Sequence, residues 1–352
     1  MGCAGARRRR LGICRCRRRR VSALLPCASV LAPGPSRRPS TIEELLSPEL
    51  LAQLKRLDFR SNKVFQGLLQ GERRSKRKGS SVEFADFRPY VPGDDVRRID
   101  WKAYARLERL FLKLFVAEED LTVHLVVDRS ASMDAGEPNK LIFAQKAALA
   151  LGWIALARNN RLLVSAFGRT GVEYLDPLRG SGNLSRLARF TLQALLPEAP
   201  GEEGEGGGRA AFDVARVLRA IVQRTSGSGV IVLLSDVLYD AGLERGLDAL
   251  AAAGRFDAHL LQILSPDELD PERAPGAGVV GDVRLVDVES GAGLEATVSR
   301  ALIRQYRARL EQHCARIEKA AKARSIDWTL IPSDASLSTL LLKTLRLKGL
   351  VG

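Results

Sequence analysis

The sequence predicts an α/β fold: a mostly parallel sheet of about six strands with helices on both faces, preceded by an N-terminal helical and extended segment. Three observations predict it. Apolar runs of strand length alternate with helical periodicity from residue 122 to the C-terminus. Two of those strands, 122–128 and 229–236, end in an aspartate, Asp128 and Asp236. The chain has 352 residues, 45% of them apolar, enough for a large buried core.

The elements follow in order. Ser40-Thr41-Ile42-Glu43 has capping-box spacing, and leucines 45, 46, 50, 51 and 54 recur at helical spacing. Ser47-Pro48 divides that stretch into two short helices. A basic loop, 73–78, precedes a polar and aromatic block at 82–118 that ends in a strand at 110–117. Strands are then expected at 122–128, 162–167 with 172–175 beside it, 229–236, 256–264, 283–288 and 327–331. Helices are expected at 140–158, 183–196, 212–224, 243–253, 297–323 and 337–347. In the first of these, Ile142, Ala144, Ala147, Leu151 and Ile154 are expected to face inward. Segments 197–208 and 266–281 read as loops. The domain reading is an Arg-rich leader without order at 1–39, an N-terminal segment at 40–118, and the sheet domain at 119–347.

Charge narrows the function classes. The net charge is +14, but residues 1–40 hold eleven arginines and no acidic residue. Residues 41–54 add three glutamates, and 55–78 add nine basic and two acidic residues, which leaves 79–352 at −1. A basic face for specific nucleic-acid binding is therefore not expected on the body. The alternative is a nucleic-acid or membrane-surface binder acting through the basic N-terminal region. Four of the five cysteines lie in the leader and Cys314 stands alone, so no disulfide framework is expected and a reducing cytoplasm fits. No apolar run reaches the ~20 residues of a membrane helix.

The chemistry-bearing motif is Asp128-Arg129-Ser130-Ala131-Ser132 at the end of an apolar strand. Asp128, Ser130 and Ser132 can turn oxygen ligands toward one centre, and Asp236 adds a second carboxylate from another strand end. Such a set suits magnesium, with a position open for a partner's carboxylate. The pattern resembles the metal-ion-dependent adhesion site of von Willebrand factor A-like domains, which implies a Rossmann-like sheet and a third loop that supplies a threonine. The corresponding stretch here, 206–213, has no threonine. Two readings stay open: a magnesium site, or a loop retained for structure without metal.

A second block carries a narrower resemblance. Arg88, Tyr90, Gly93, Asp94, Asp95, Arg97, Ile99, Asp100 and Trp101, then Ala105-Arg106 and Lys113-x-Phe115, stand directly before the Asp-x-Ser-x-Ser strand. This arrangement resembles the bacterial domain of unknown function 58 family over about residues 40–345. Family members are typically encoded near MoxR-type AAA+ ATPases, so the resemblance implies a protein-binding adaptor with such an ATPase as partner. The alternating charges of the block read either as a salt-bridge cluster or as a recognition surface.

Enzyme readings rank below this one. His124 and His259 sit in apolar strands, where a hydrogen-bonded core histidine is the ordinary case, and no nucleophile elbow or phosphate loop is present. A metal-dependent hydrolase built on Asp128 and Asp236 lacks a visible nucleophile and base.

Overall fold

The computed structural model describes residues 10–13, 28–29, 37–61, 83–116, 121–197, 213–225, 227–238, 242–273, 281–286 and 293–352. The chain forms two compact units, one of residues 64–120 and one of residues 1–63 with 121–352.

The larger unit begins with two short strands, β1 (Arg10–Ile13) and β2 (Ala28–Ser29). They lie within the leader that the sequence predicts to be without order; the rest of the leader to residue 36 is outside the described residues. Helices α1 (Ile42–Leu45) and α2 (Pro48–Leu54) follow. The break between them is the expected one. Ser47 Oγ accepts the Leu50 N–H at 3.3 Å, with Pro48 at the first helical position, where no N–H is needed. The expected capping box is displaced by a residue: the Ser40 N–H and hydroxyl donate to Glu44, at 2.6 and 3.2 Å, and not to Glu43.

The smaller unit contributes β3 (Glu83–Pro89), α3 (Trp101–Leu107) and β4 (Phe111–Val116), with β3 and β4 antiparallel. The sheet then runs β5 (Thr122–Asp128), helix α4 (Lys140–Ala157), β6 (Arg161–Gly168), β7 (Gly171–Leu178), α5 (Leu184–Gln193), α6 (Val214–Arg224), β8 (Gly229–Ser235), α7 (Leu243–Ala252) and β9 (Phe256–Leu264). A short helix α8 (Pro266–Leu269) stands where a loop is expected. Strands β10 (Gly281–Val286) and β11 (Gly293–Val298) pair as a hairpin, with β1 parallel to β10 on its other side. Helix α9 (Arg300–Lys322), strand β12 (Asp327–Pro332) and helical turns from Leu337 to Leu347 complete the chain. The expected helix from residue 297 begins three residues later: Ser299 Oγ accepts the Leu302 N–H at 3.2 Å, and 293–298 pairs with β10.

The main sheet has six strands in the order β12-β9-β8-β5-β6-β7, all parallel except β7, which runs antiparallel to β6. Every residue of β5, β8 and β9 is buried, as expected for strands covered on both faces. Alternation divides their side chains between two cores. Val123, Leu125, Val127, Val232, Leu234 and Ile263 join the core that contains α4. Val126, Ile231, Leu233 and Leu260 join the core of α6, α7 and the end of α9.

Helix α4 is apolar nearly all round, so it lies inside and does not show one inward stripe. Ile142 is its half-buried exception among the positions expected to face inward. It is the one helix among the described residues long and apolar enough to cross a membrane by length and composition, and most of it is buried within the protein.

Leu45, Leu46 and Leu54 of α1 and α2 belong to the same core as α4, and Trp153 Nε1 donates to the Leu51 carbonyl at 2.9 Å. Phe59 forms a β-bridge with Val351. The first part of the expected segment 40–118 groups with the sheet unit, where its leucines have their apolar partners.

The chain leaves β5 for β6 and β7, returns to β8 beside β5, and moves out through β9 to β12. The strand order thus reverses between β5 and β8. Open α/β sheets bind ligands at the carboxyl ends of the strands at such a reversal. Asp128 ends β5 and Asp236 directly follows β8.

Candidate functional site at the sheet edge

The structure brings Asp128, Ser130, Ser132 and Asp236 to one edge, all buried. Asp128 ties the loop together. Its Oδ1 accepts the Ser130 N–H at 2.9 Å and its Oδ2 accepts the Ser235 hydroxyl at 2.7 Å. Ser130 and Ser132 share a hydrogen bond between their hydroxyls at 3.0 Å. Asp236 Oδ1 accepts the Leu238 N–H at 3.2 Å.

The other oxygen of Asp236 meets a group absent from the expected set. Lys140, the first residue of α4, extends its ammonium to Asp236 Oδ2 at 3.0 Å and to Glu268 Oε1 at 2.6 Å. All three side chains are at most 2% exposed. Burial alone would lower the Lys140 pKa. The two carboxylates outweigh burial and hold the pKa above the ordinary lysine value. Burial pushes the Glu268 carboxyl up, against the pull of Lys140. Glu268 is held from its other side by the Ser265 N–H, at 2.9 Å from Oε2.

The fit to magnesium can be tested on these donors. Asp128, Ser130 and Ser132 are the right oxygen types. A magnesium ion on Asp236 Oδ2 would lie about 2.1 Å from it, hence at most about 5 Å from the ammonium. At an effective dielectric of about 20, a divalent ion and an ammonium so placed repel by about 7 kcal/mol. Of the two expected carboxylates, Asp236 is thus already paired with a cation through Oδ2, which disfavours a magnesium ion bound directly to that oxygen. The third-loop residues 206–212 lie outside the described residues. Asp213 is described, and it caps α6 by accepting the Ala215 N–H at 3.0 Å.

Lys140 and Glu268 were missed in the sequence, although each carries a signal. A lysine at a helix N-terminus opposes the helix dipole and needs a reason. Ser265-Pro266-Asp267-Glu268 has capping-box spacing with proline at the first helical position, inside a stretch read as loop.

At the opposite edge of the sheet, Asp257, His259 and Asp327 offer ligand atoms within 4.8 Å of one another, a donor set that could hold a metal ion. His259 Nε2 is 3.7 Å from Asp257 Oδ1, and Nδ1 is 3.7 Å from Asp327 Oδ2.

His124 is a satisfied core histidine. Thr225 donates its hydroxyl hydrogen to the Ile221 carbonyl at 2.7 Å, so at 2.8 Å it accepts from His124 Nδ1–H. Nε2 is then the acceptor for the Ser165 hydroxyl at 2.6 Å. Burial depresses its pKa to about 3.

In the 64–120 unit most of the expected binding block has local structural work. Arg88 clamps Asp94 with two hydrogen bonds, at 2.8 and 2.6 Å, and Asp94 also accepts the Val91 N–H at 3.0 Å. The resulting turn carries Gly93 at φ +108°, a backbone that favours glycine. Asp95 accepts the Arg97 N–H at 3.0 Å at the start of a 3₁₀ turn. Asp100 caps α3, accepting from Lys102 and Ala103 at 2.9 and 3.2 Å. The backbone N–H of Tyr90 donates to the Leu110 carbonyl at 2.9 Å. The carboxylates thus act mainly as caps and as one clamp; the salt-bridge cluster, one of the two readings of the alternating charges, is present only as the Arg88–Asp94 pair among the described residues. Trp101 does not serve the unit's interior. It is 61% exposed, its ring packs edge-on against Tyr104 with centroids 6.2 Å apart, and Leu107 on the same helix is 60% exposed.

Known proteins match this chain as follows. The family model described as "Protein of unknown function DUF58" covers residues 86–316. The uncharacterized proteins Rv1480 of Mycobacterium tuberculosis and Mb1516 of Mycobacterium bovis are each 30% identical to it over 276 residues, 77% of this chain and 81% of theirs. Among solved structures, the conserved hypothetical protein BatB of Bacteroides thetaiotaomicron aligns over 65% of this chain and 98% of its own, at 14% identity and a TM-score of 0.39. The vWF domain of the type V pili tip protein Mfa5 of Porphyromonas gingivalis aligns over 66% and 97%, at 12% identity and a TM-score of 0.30. The architecture implied by the von Willebrand factor A-like resemblance, a mostly parallel sheet with helices on both faces and the Asp-x-Ser-x-Ser loop at a central strand end, is the one the structure has. On the extent of the family match and the identity to its relatives, the chain belongs to the DUF58 family.

Proposed function

We propose that the chain is a non-enzymatic, cytoplasmic protein-binding adaptor, and that α3 of the 64–120 unit is its contact helix. The observation that carries this reading is the outward row Trp101, Tyr104 and Leu107 on a helix with no buried residue. Positions three apart share one helix face. The capping and clamping residues of the block hold that helix in place, and the row is left for something else to cover. Large aromatic side chains of this kind dominate protein interfaces.

Arg97, Lys102, Arg106 and Arg109 are exposed around the row and outnumber the exposed acids Asp95 and Glu108. The matching partner surface is therefore an apolar groove with an acidic rim. A MoxR-type AAA+ ATPase is the partner that the family resemblance implies. The non-enzymatic reading is supported at the sheet edge by Asp128, Asp236 and Glu268, which are held by a lysine, backbone N–H groups and the Ser235 hydroxyl. The test is direct binding of the purified full chain to the purified MoxR-type ATPase of the same genome. The reading expects a stoichiometric complex, and its absence at tens of micromolar would overturn the partner assignment.

A further inference from the structure

We propose that the Lys140 ammonium is the resident cation of the sheet edge: it takes the electrostatic place of a divalent ion between the ends of β8 and β9, and makes this edge independent of metal. The lysine sits where electrostatics disfavours a cation twice over. It is the first residue of α4, capped by Asn139, whose Oδ1 accepts the Ile142 N–H at 3.0 Å. A helix N-terminus carries positive partial charge and disfavours a cation. Full burial disfavours it again. A lysine placed against both effects needs strong compensation, and the structure supplies it. Asp236 directly follows β8 and Glu268 lies in α8, just beyond β9, and both contact the ammonium at hydrogen-bond distance.

The second oxygen of each carboxylate accepts from a fixed backbone donor. Leu238 N–H holds Asp236 Oδ1, and Ser265 N–H holds Glu268 Oε2. The triad thus bridges three elements: the start of α4, the segment after β8, and α8. A divalent ion is the ordinary means of joining two such carboxylates, and here a side chain of the chain itself does it. Asp128 then has a separate task, tying its own loop to Ser235.

The test uses the full chain alone, so its outcome is independent of any partner. Thermal unfolding is followed in EDTA, in 10 mM MgCl2 and in 1 mM MnCl2, for the unaltered protein, Lys140→Ala and Asp128→Ala. For the unaltered protein the expected midpoints agree within about 1 °C across the three buffers, since the Lys140 site takes up no metal. Every protein in the test carries His259→Gln, which removes the Asp257–His259–Asp327 donor set from the readout. Lys140→Ala leaves two buried carboxylates facing a cavity. Its midpoint is expected to fall in EDTA and to recover by several degrees in magnesium or manganese.

A metal-dependent rise in the unaltered protein that Asp128→Ala abolishes would overturn the proposal. So would a folded Lys140→Ala with no greater metal response than the unaltered chain. Should Lys140→Ala fail to fold in all three buffers, the unaltered chain and Asp128→Ala decide alone. Metal-insensitive midpoints in both then support the proposal, and a rise that depends on Asp128 overturns it.

Discussion

Acidification should destabilise the sheet unit in part through His124, and the size of that part follows from its surroundings. His124 lies between two hydroxyls whose hydrogens fix its neutral tautomer, and burial holds its pKa near 3. An unfolded histidine titrates near 6.5. Below pH ~6.5 the unfolded chain takes up a proton that the folded chain refuses, so stability falls with pH. The contribution is complete above pH ~6.5 and is lost progressively down to pH ~3. Each pH unit in that window costs about 1.4 kcal/mol, so from pH 7 to pH 4 this site removes about 3 kcal/mol.

His124→Gln keeps a donor and an acceptor but does not titrate. Urea unfolding of both proteins is measured from pH 7 to pH 4 in a Trp101→Phe background, where fluorescence reports only Trp153 and Trp328 of the sheet unit. The variant is expected to lose about 3 kcal/mol less than its parent over that range, with the carboxylates common to both cancelling. Parallel stability curves would refute the assignment of His124 as a neutral core group.

Two further perturbations test the local geometry. Gly136→Ala should cost about 2–4 kcal/mol in denaturant unfolding, because φ is +86° there and the added Cβ would lie 2.2 Å from Ser265 Cβ. An unchanged midpoint would show that the loop before α4 does not pack on Ser265 as described. Asp100→Ala should remove the α3 cap at a cost of about 1–2 kcal/mol confined to the smaller unit. Amide exchange of residues 102–107 should rise while that of β5 and β8 is unchanged, and equal protection of α3 in both proteins would contradict the cap.

The strands of the sheet were legible because fully buried parallel strands read as largely apolar runs, most clearly in 230–234. The two aspartates at strand ends were legible for the same reason, since each is the polar residue that closes such a run. Local cues failed where a partner distant in sequence decides the structure. Residues 293–298 become a strand only by pairing with β10. Lys140 looks like a solvated helix start until Asp236 and Glu268, 96 and 128 residues away, come to meet it. The block at 88–101 was legible as a block, but not its division of labour. Whether an aspartate caps a helix or pairs with an arginine depends on backbone angles, and charge alternation alone leaves that open.

The central claim is that the row on α3 is a protein contact. Trp101 would bury about 150 Å² more on docking, from its 61% exposure and a full area of about 250 Å². Area alone would give about 4 kcal/mol, and the cost of ordering an interface reduces this to about 2 kcal/mol, or about 30-fold in affinity. The decisive measurement is the dissociation constant of the full chain with the MoxR-type ATPase at fixed magnesium and nucleotide, for the unaltered protein and Trp101→Ala. The account predicts a complex that Trp101→Ala weakens about 30-fold with the chain's unfolding midpoint unchanged. Equal affinity for the two proteins would contradict it.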